Sequence, residues 1–353
     1  MTTNLTKSTG VLVVVIITSC FPGMPTIGAA STKWHPGHYV LVPLGMAEKG
    51  FERVLMTIER TPQFRGIQKR YTWGAMEPTE GQYDFSEIKT DLRRLAAIHK
   101  RLVVQIQTKS FVGDRSYAPA YLKAPAFAGG VYKLSAGGYN IILWNNAVLE
   151  RLKALYRAMG QELAGEAFLE ALVIPETAPG PKADRDAAGY DEAAYIDNLI
   201  AAATALRKAF PHTVVIQYAN YPIKALEKLT EASKTLGIGL GGPDVFTASP
   251  SLNAGVYSYY PRLAGTIHLA IGVQDENYTA RYHKGPFSPT PVQELHEFAR
   301  NKLKVNYVFW LWKRAPVDYF SQVEAMVKAL SFPGDRAGGL ETTCPMSLGN
   351  CIE

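Results

Sequence analysis

From residue 38 onward, short apolar runs alternate with segments in which apolar positions recur every three or four residues. The runs predict strands over residues 38–45, 66–73, 102–107, 171–175, 213–219, 237–241, 266–273 and 305–311. The periodic segments predict helices over 47–60, 146–164, 192–210, 223–236 and 319–330. Two more helices have start signals: Ser86 as a cap ahead of Ile88, Leu92 and Leu95, and a capping box at Thr290-Pro291-Val292-Gln293. A hairpin is expected over 131–143. Leu102-Val103-Val104 and Thr213-Val214-Val215-Ile216 are apolar without a break, as parallel strands buried on both faces are. Eight strands alternating with helices predict an α/β fold, a (β/α)8 TIM barrel in one domain over 31–335; a doubly wound sheet is the other topology with this rhythm.

Composition fits a large buried core: 353 residues, 47% hydrophobic and 19% charged. The net charge of +6 is spread along the chain without a basic block, which argues against a nucleic-acid partner. Residues 1–30 read as a secretory signal: Lys7, an apolar run over 11–17, and Gly28-Ala29-Ala30 before Ser31. Ile17-Thr18-Ser19-Cys20 also resembles a bacterial lipobox, so a lipid anchor at Cys20 is the alternative and the only membrane contact expected. Either processing route makes the mature protein secreted or periplasmic. There Cys344 and Cys351, in the tail 336–353, are expected to form a disulfide. No closely spaced His/Cys set predicts a metal, and no cofactor is expected; Gly237-Ile238-Gly239-Leu240-Gly241-Gly242 matches a dinucleotide fingerprint but runs into Pro243-Asp244 instead of a long helix.

In a barrel, chemistry gathers at the strand C-termini. Glu176 follows Val173-Ile174-Pro175 at the end of strand four, where partial desolvation can raise a carboxyl pKa into the range of a general acid. Its expected partner is Glu276 after strand seven, with Asp275, Asp244 and the non-ionisable Gln274 competing for that position. Arg70 can hold a carboxylate ionised. Gln107, Tyr218 and Asn220 fall at strand ends as candidate substrate-binding groups, and Trp73, Trp310 and Trp312 are candidate platforms for the apolar face of a sugar ring.

The phrase Trp73…Glu77-Pro78…Glu80-Gly81-Gln82-Tyr83-Asp84-Phe85 resembles one that closes strand two and opens helix two in clan A glycoside hydrolases, the broad group of families five, thirty-nine and forty-two. The resemblance implies an acid/base glutamate after strand four, matched by Glu176, and a nucleophile after strand seven, matched by Glu276. It also implies a stacking tryptophan on strand eight, matched by Trp310-Leu311-Trp312. This chain departs from the pattern with Pro175 where Asn is usual, and with Gln274-Asp275-Glu276 where one glutamate is usual. The expectation is a retaining glycosidase acting on a β-linked poly- or oligosaccharide. The alternative is a non-catalytic carbohydrate-binding barrel serving exopolysaccharide capture or assembly.

Overall fold

The computed structural model describes residues 31–111, 113–279, 290–330, 335 and 337–353; the expected signal and Cys20 lie outside the described residues. Eight strands run β1 (Gly37–Leu41), β2 (Phe64–Thr72), β3 (Arg101–Gln107), β4 (Leu169–Ile174), β5 (Val214–Tyr218), β6 (Gly239–Gly242), β7 (Leu269–Val273) and β8 (Tyr307–Leu311). They pair in chain order, all parallel, and β8 closes on β1 through Tyr307 opposite Gly37 to Leu311 opposite Leu41. Closure selects the barrel over the open doubly wound sheet.

Two sets of side chains hold the barrel. Tyr39, Leu41, Val103, Val173, Ile216, Tyr218 and Phe309 fill its interior, while Val40, Ile67, Leu102, Val104, Leu172 and Val308 face the helices. This two-sided burial is why the strands read as unbroken apolar runs. β6 is made mostly of glycine because its neighbours take the space: a Cβ on Gly239 would lie 2.1 Å from the His268 ring, and one on Gly241 2.5 Å from Tyr218.

The major helices run over Glu48–Arg60, Ser86–Ala97, Asn146–Leu163, Glu192–Ala209, Ile223–Leu236 and Tyr319–Leu330. Asn145 and Asp191 cap theirs by accepting from backbone N–H groups of the first turn. Two expected caps differ. Ser86 is the first helical residue, and its N–H is taken by Asp84 Oδ1 at 2.8 Å. At the other, the helix Val292–Glu297 starts after Pro291 with no side-chain cap, so no capping box forms. The expected hairpin is Val131–Lys133 paired antiparallel with Tyr139–Ile141.

At the barrel floor, Ser31–Lys33 pairs in parallel with Asn350–Ile352. Cys344 and Cys351 are joined, Cα to Cα 5.8 Å, and Leu348 between them is buried beside Trp34 and Tyr307. The tail therefore docks on the barrel as part of its base. Closing so short a loop contributes about 2–3 kcal/mol in the chain-entropy picture. Replacing both cysteines with serine is expected to fray the strip first, raising amide exchange at Asn350–Ile352 and lowering the unfolding midpoint by a few degrees.

Candidate active site

The strand C-termini open into a cleft of about 640 Å3 whose walls include Arg70, Gln107, Glu176, Asn220, Asp244, Gln274 and Glu276. β2, β3, β4, β5, β6 and β7 each supply at least one of these groups from the strand or the residues just past it.

Glu176 stands two residues beyond β4. Asn220 Nδ2 donates to its Oε2, and Lys109 Nζ donates to the backbone oxygens of Glu176 at 2.5 Å and Ala178 at 3.0 Å. The turn carrying the carboxyl is thus tied to the end of β3. Burial pushes the Glu176 pKa upward; the Lys109 charge, the Asn220 hydrogen bond and the Arg70 charge oppose it without cancelling it. Burial lowers the Lys109 pKa to about 8, against the pull of Glu176. Replacing Lys109 with methionine removes a cation that favours ionised Glu176. The Glu176 pKa is then expected to rise further, as read by carbon NMR titration of the carboxyl; an unchanged titration would remove Lys109 from the account.

Arg70, on β2, reaches across the cleft floor. Its Nη2 donates to Gln274 Oε1 at 2.7 Å and its Nε to Gln105 Oε1 at 3.4 Å. Among the described residues its guanidinium bonds amide oxygens and no carboxylate. Burial lowers its pKa, offset in part by Tyr218, Glu176, Asp244 and Tyr117. Gln274 is the residue immediately after β7, so the amide occupies the strand end. Asp275 pairs with Lys313 Nζ at 2.9 Å, and Glu276 lines the cleft from the short helix Asp275–Thr279. Asp244, just past β6, also lines it, and its pKa is pushed up to about 8 by burial and then by Glu176 and Glu276.

Of the residues expected at the site, the structure brings together Glu176, Glu276, Arg70, Gln107 and Asn220. Gln107 Nε2 donates to Lys109 O at 2.5 Å, so it also braces the β3 end. Tyr218 is buried inside the barrel, where its hydroxyl accepts from Gln68 Nε2 at 2.9 Å. None of the three tryptophans lines the cleft. Trp73 is fully buried, and its indole N–H donates to Glu77 Oε2 at 2.8 Å. Glu77 also accepts from Gly81 N at 2.9 Å and from Arg151, so the acidic turn of that phrase is scaffold. Trp310 is fully buried and donates to His38 Nδ1 at 3.0 Å. Trp312 packs on Phe320 under the Arg314 guanidinium, on the barrel flank. Those side chains point outward because β8 alternates and its inward positions belong to Tyr307 and Phe309.

The aromatics that do line the cleft are Phe111, Tyr117, Tyr221, Phe246 and Tyr257. Phe111 and Tyr221 are each 37% exposed, free enough to present a ring face. Their signal was position: each sits in the loop just past a strand, not within it.

The chain matches no protein-family model and no curated protein. Among solved structures it is similar to the catalytic domain of β-amylase from Paenibacillus polymyxa, with TM-score 0.57 and 14% identity over 90% of this chain and 97% of that one. It is also similar to a β-galactosidase from the psychrophilic Marinomonas ef1, with TM-score 0.56 and 11% identity over 87% of this chain and 62% of that one. The likeness is one of fold. At such identities the residues of the cleft must be argued from this chain's own geometry.

Proposed function

We propose that this barrel is a glycoside hydrolase acting on a β-linked oligosaccharide or polysaccharide, with Glu176 as the proton donor. The observation that carries the reading is Glu176 itself: a carboxyl at the end of β4, held by Asn220, with its pKa raised by burial, in a cleft that other carboxyls share. A carboxyl whose pKa is raised keeps its proton to higher pH than a free one and can protonate a leaving oxygen. The partly exposed rings of Phe111 and Tyr221 in the cleft lining suit the apolar C–H faces of sugar rings. The barrels it resembles in fold include a β-amylase and a β-galactosidase, both enzymes that act on sugars.

In the double displacement expected from strand order, Glu276 attacks the anomeric carbon while Glu176 protonates the departing oxygen. Glu176 then takes a proton from the water that releases the sugar. Export to an oxidising compartment is part of the reading and is supported by the Cys344–Cys351 disulfide. The experiment is release of reducing ends from a panel of β-linked glycans by the purified chain, run beside calorimetric binding to the same glycans. Release with at least one glycan is expected. Binding without release from any of them would favour the non-catalytic carbohydrate-binding barrel, for which the neutral Gln274 at the end of β7 is the motivating observation.

A further inference from the structure

Gln274 leaves Arg70 without a carboxylate. The arginine spends its Nη2 on Gln274 Oε1 at 2.7 Å and its Nε on Gln105 Oε1 at 3.4 Å. Both acceptors are neutral amides, which satisfy N–H groups but return no charge. Arg70 Nη1 donates to no described residue and is not sealed from solvent. A guanidinium stays charged at any working pH. Half-buried Arg70 therefore presents an open NH2 group and a positive charge with no counterion bonded to it.

Beside Arg70 lies a side chamber of about 300 Å3, between the segment that follows β1 and the end of β2. Leu44, Arg70 and Tyr117 line both the cleft and the chamber, so Arg70 stands at their junction. Most ionic groups of the chamber are spent on fixed partners. Lys69 pairs with Asp91 at 2.5 Å and with Glu87 at 2.9 Å, and Glu48 pairs with Arg94 at 2.8 Å. Arg115 lines the chamber from the loop past β3; it is exposed, and its guanidinium bonds no described residue. The backbone around it is held: Ser110 Oγ donates to Arg115 O at 2.7 Å, and Gly74 N donates to Tyr117 O at 2.8 Å. Glycine permits that approach, because a Cβ at position 74 would lie 3.1 Å from Ala118 O. Among the described residues of the chamber, the cations left without a carboxylate partner are thus Arg70 and Arg115. Glu176 and Asp244 are in electrostatic reach of Arg70 from the cleft side, but neither lines the chamber, nor does Glu276.

We propose that the chamber is a subsite for the carboxylate of an acidic sugar, held by Arg70 Nη1 and Arg115, and that the cleft takes β-linked glycans bearing uronic acid units. The proposal rests on the reading of the cleft as a glycosidase's carbohydrate site and names its substrate class. A planar carboxylate offers an oxygen to each of two arginines, in charge-assisted hydrogen bonds. The chamber volume, at the lower end for small-ligand sites, suits one sugar unit. Tyr117 at the junction gives that unit a ring to lie against. A glutamate at position 274 would take the Arg70 charge for itself; the glutamine leaves it to the ligand.

The test is calorimetric titration of the full chain with matched oligosaccharides of equal length, β-glucan against β-glucuronan and β-mannan against β-mannuronan. Sulfated β-glucan oligosaccharides form a further arm, and reducing-end release is followed on the same glycans. At least one uronate is expected to bind about 10- to 100-fold more tightly than its neutral partner, the gain of a hydrogen bond to a charged group. That advantage should shrink as salt rises. Gln274→Glu, checked for folding by thermal unfolding, supplies Arg70 with a carboxylate from within and is expected to erase most of the preference. Arg115→Ala is expected to reduce it several-fold. If no uronate binds more tightly than its neutral partner, the proposal is overturned, and release from neutral glycans then leaves the glycosidase reading standing. A preference unchanged in both variants also overturns it, since the anion is then held elsewhere. So does tighter binding of the sulfated glycans than of the uronates. Preferential uronate binding without release from any glycan supports the proposal and overturns the catalytic reading alone.

Discussion

Replacing Glu176 with glutamine is expected to leave the barrel folded and to cut hydrolysis of unactivated glycans by roughly 100- to 10,000-fold, the range that a positioned general acid supplies. The amide is nearly isosteric and can still offer an oxygen to Asn220 Nδ2, so the β4 turn keeps its main contact. The turn is also held through the backbone by Lys109, which the substitution does not touch. What disappears is the proton. The raised pKa of Glu176 means that the wild-type donor stays loaded above the usual carboxylate range, and activity falls as pH rises through that value. In the glutamine variant this alkaline limb of kcat/KM should vanish, leaving a low, flatter profile. The kinetic split is as informative as the size of the loss: large on alkyl or sugar leaving groups, small on dinitrophenyl glycosides. Wild-type rates on natural glycans in this variant would remove Glu176 from the mechanism.

Much of the frame of this site could be read before the fold was seen. Buried strands on both faces produced unbroken apolar runs, so the strand ends fell within a few residues of their observed places and Glu176 was found at the mouth. The tryptophans illustrate the opposite case. Trp73 and Trp310 sit at or beside strand ends, yet strand alternation and a helical turn bury them, with Glu77 and His38 taking their N–H groups. A linear sequence marks a strand's end but not which of its last residues points inward once the barrel shears and closes. The rim aromatics lay in loops without periodicity, where pattern gives no orientation. Most hidden was Gln274: its residue type was plain, but its place beside Arg70 depends on side chains from the ends of β2 and β7 meeting across the cleft floor. That contact changes the chemistry open to the cleft.

The largest stability effect is expected at the opposite end of the barrel, at Glu170 on β4. The residue is fully buried, and its partners His35, Tyr307 and Arg101 lie outside the cleft lining. Its Oε1 accepts from His35 N at 2.7 Å and from Tyr307 Oη at 2.8 Å, its Oε2 accepts from His35 Nδ1 at 2.8 Å, and Arg101 stands 3.7 Å away. One carboxylate therefore joins the segment entering β1 with β3, β4 and β8, and satisfies donors that would otherwise be buried alone. Burial alone would raise its pKa; the His35 hydrogen bonds and charge together with Arg101 outweigh that and hold it below the usual carboxylate value. Glu170→Ala strands those donors and is expected to cost about 3–5 kcal/mol, or roughly 10 °C in unfolding midpoint. The sign of the pH dependence follows from the lowered pKa. The carboxylate's contribution is fully present above the unfolded value of about 4.3 and is lost as pH falls through the lower folded value. The wild-type and alanine stabilities should thus converge in acid and stay apart at neutral pH. Urea unfolding at several pH values measures this directly. A gap independent of pH would mean that the loss comes from packing and not from the charge.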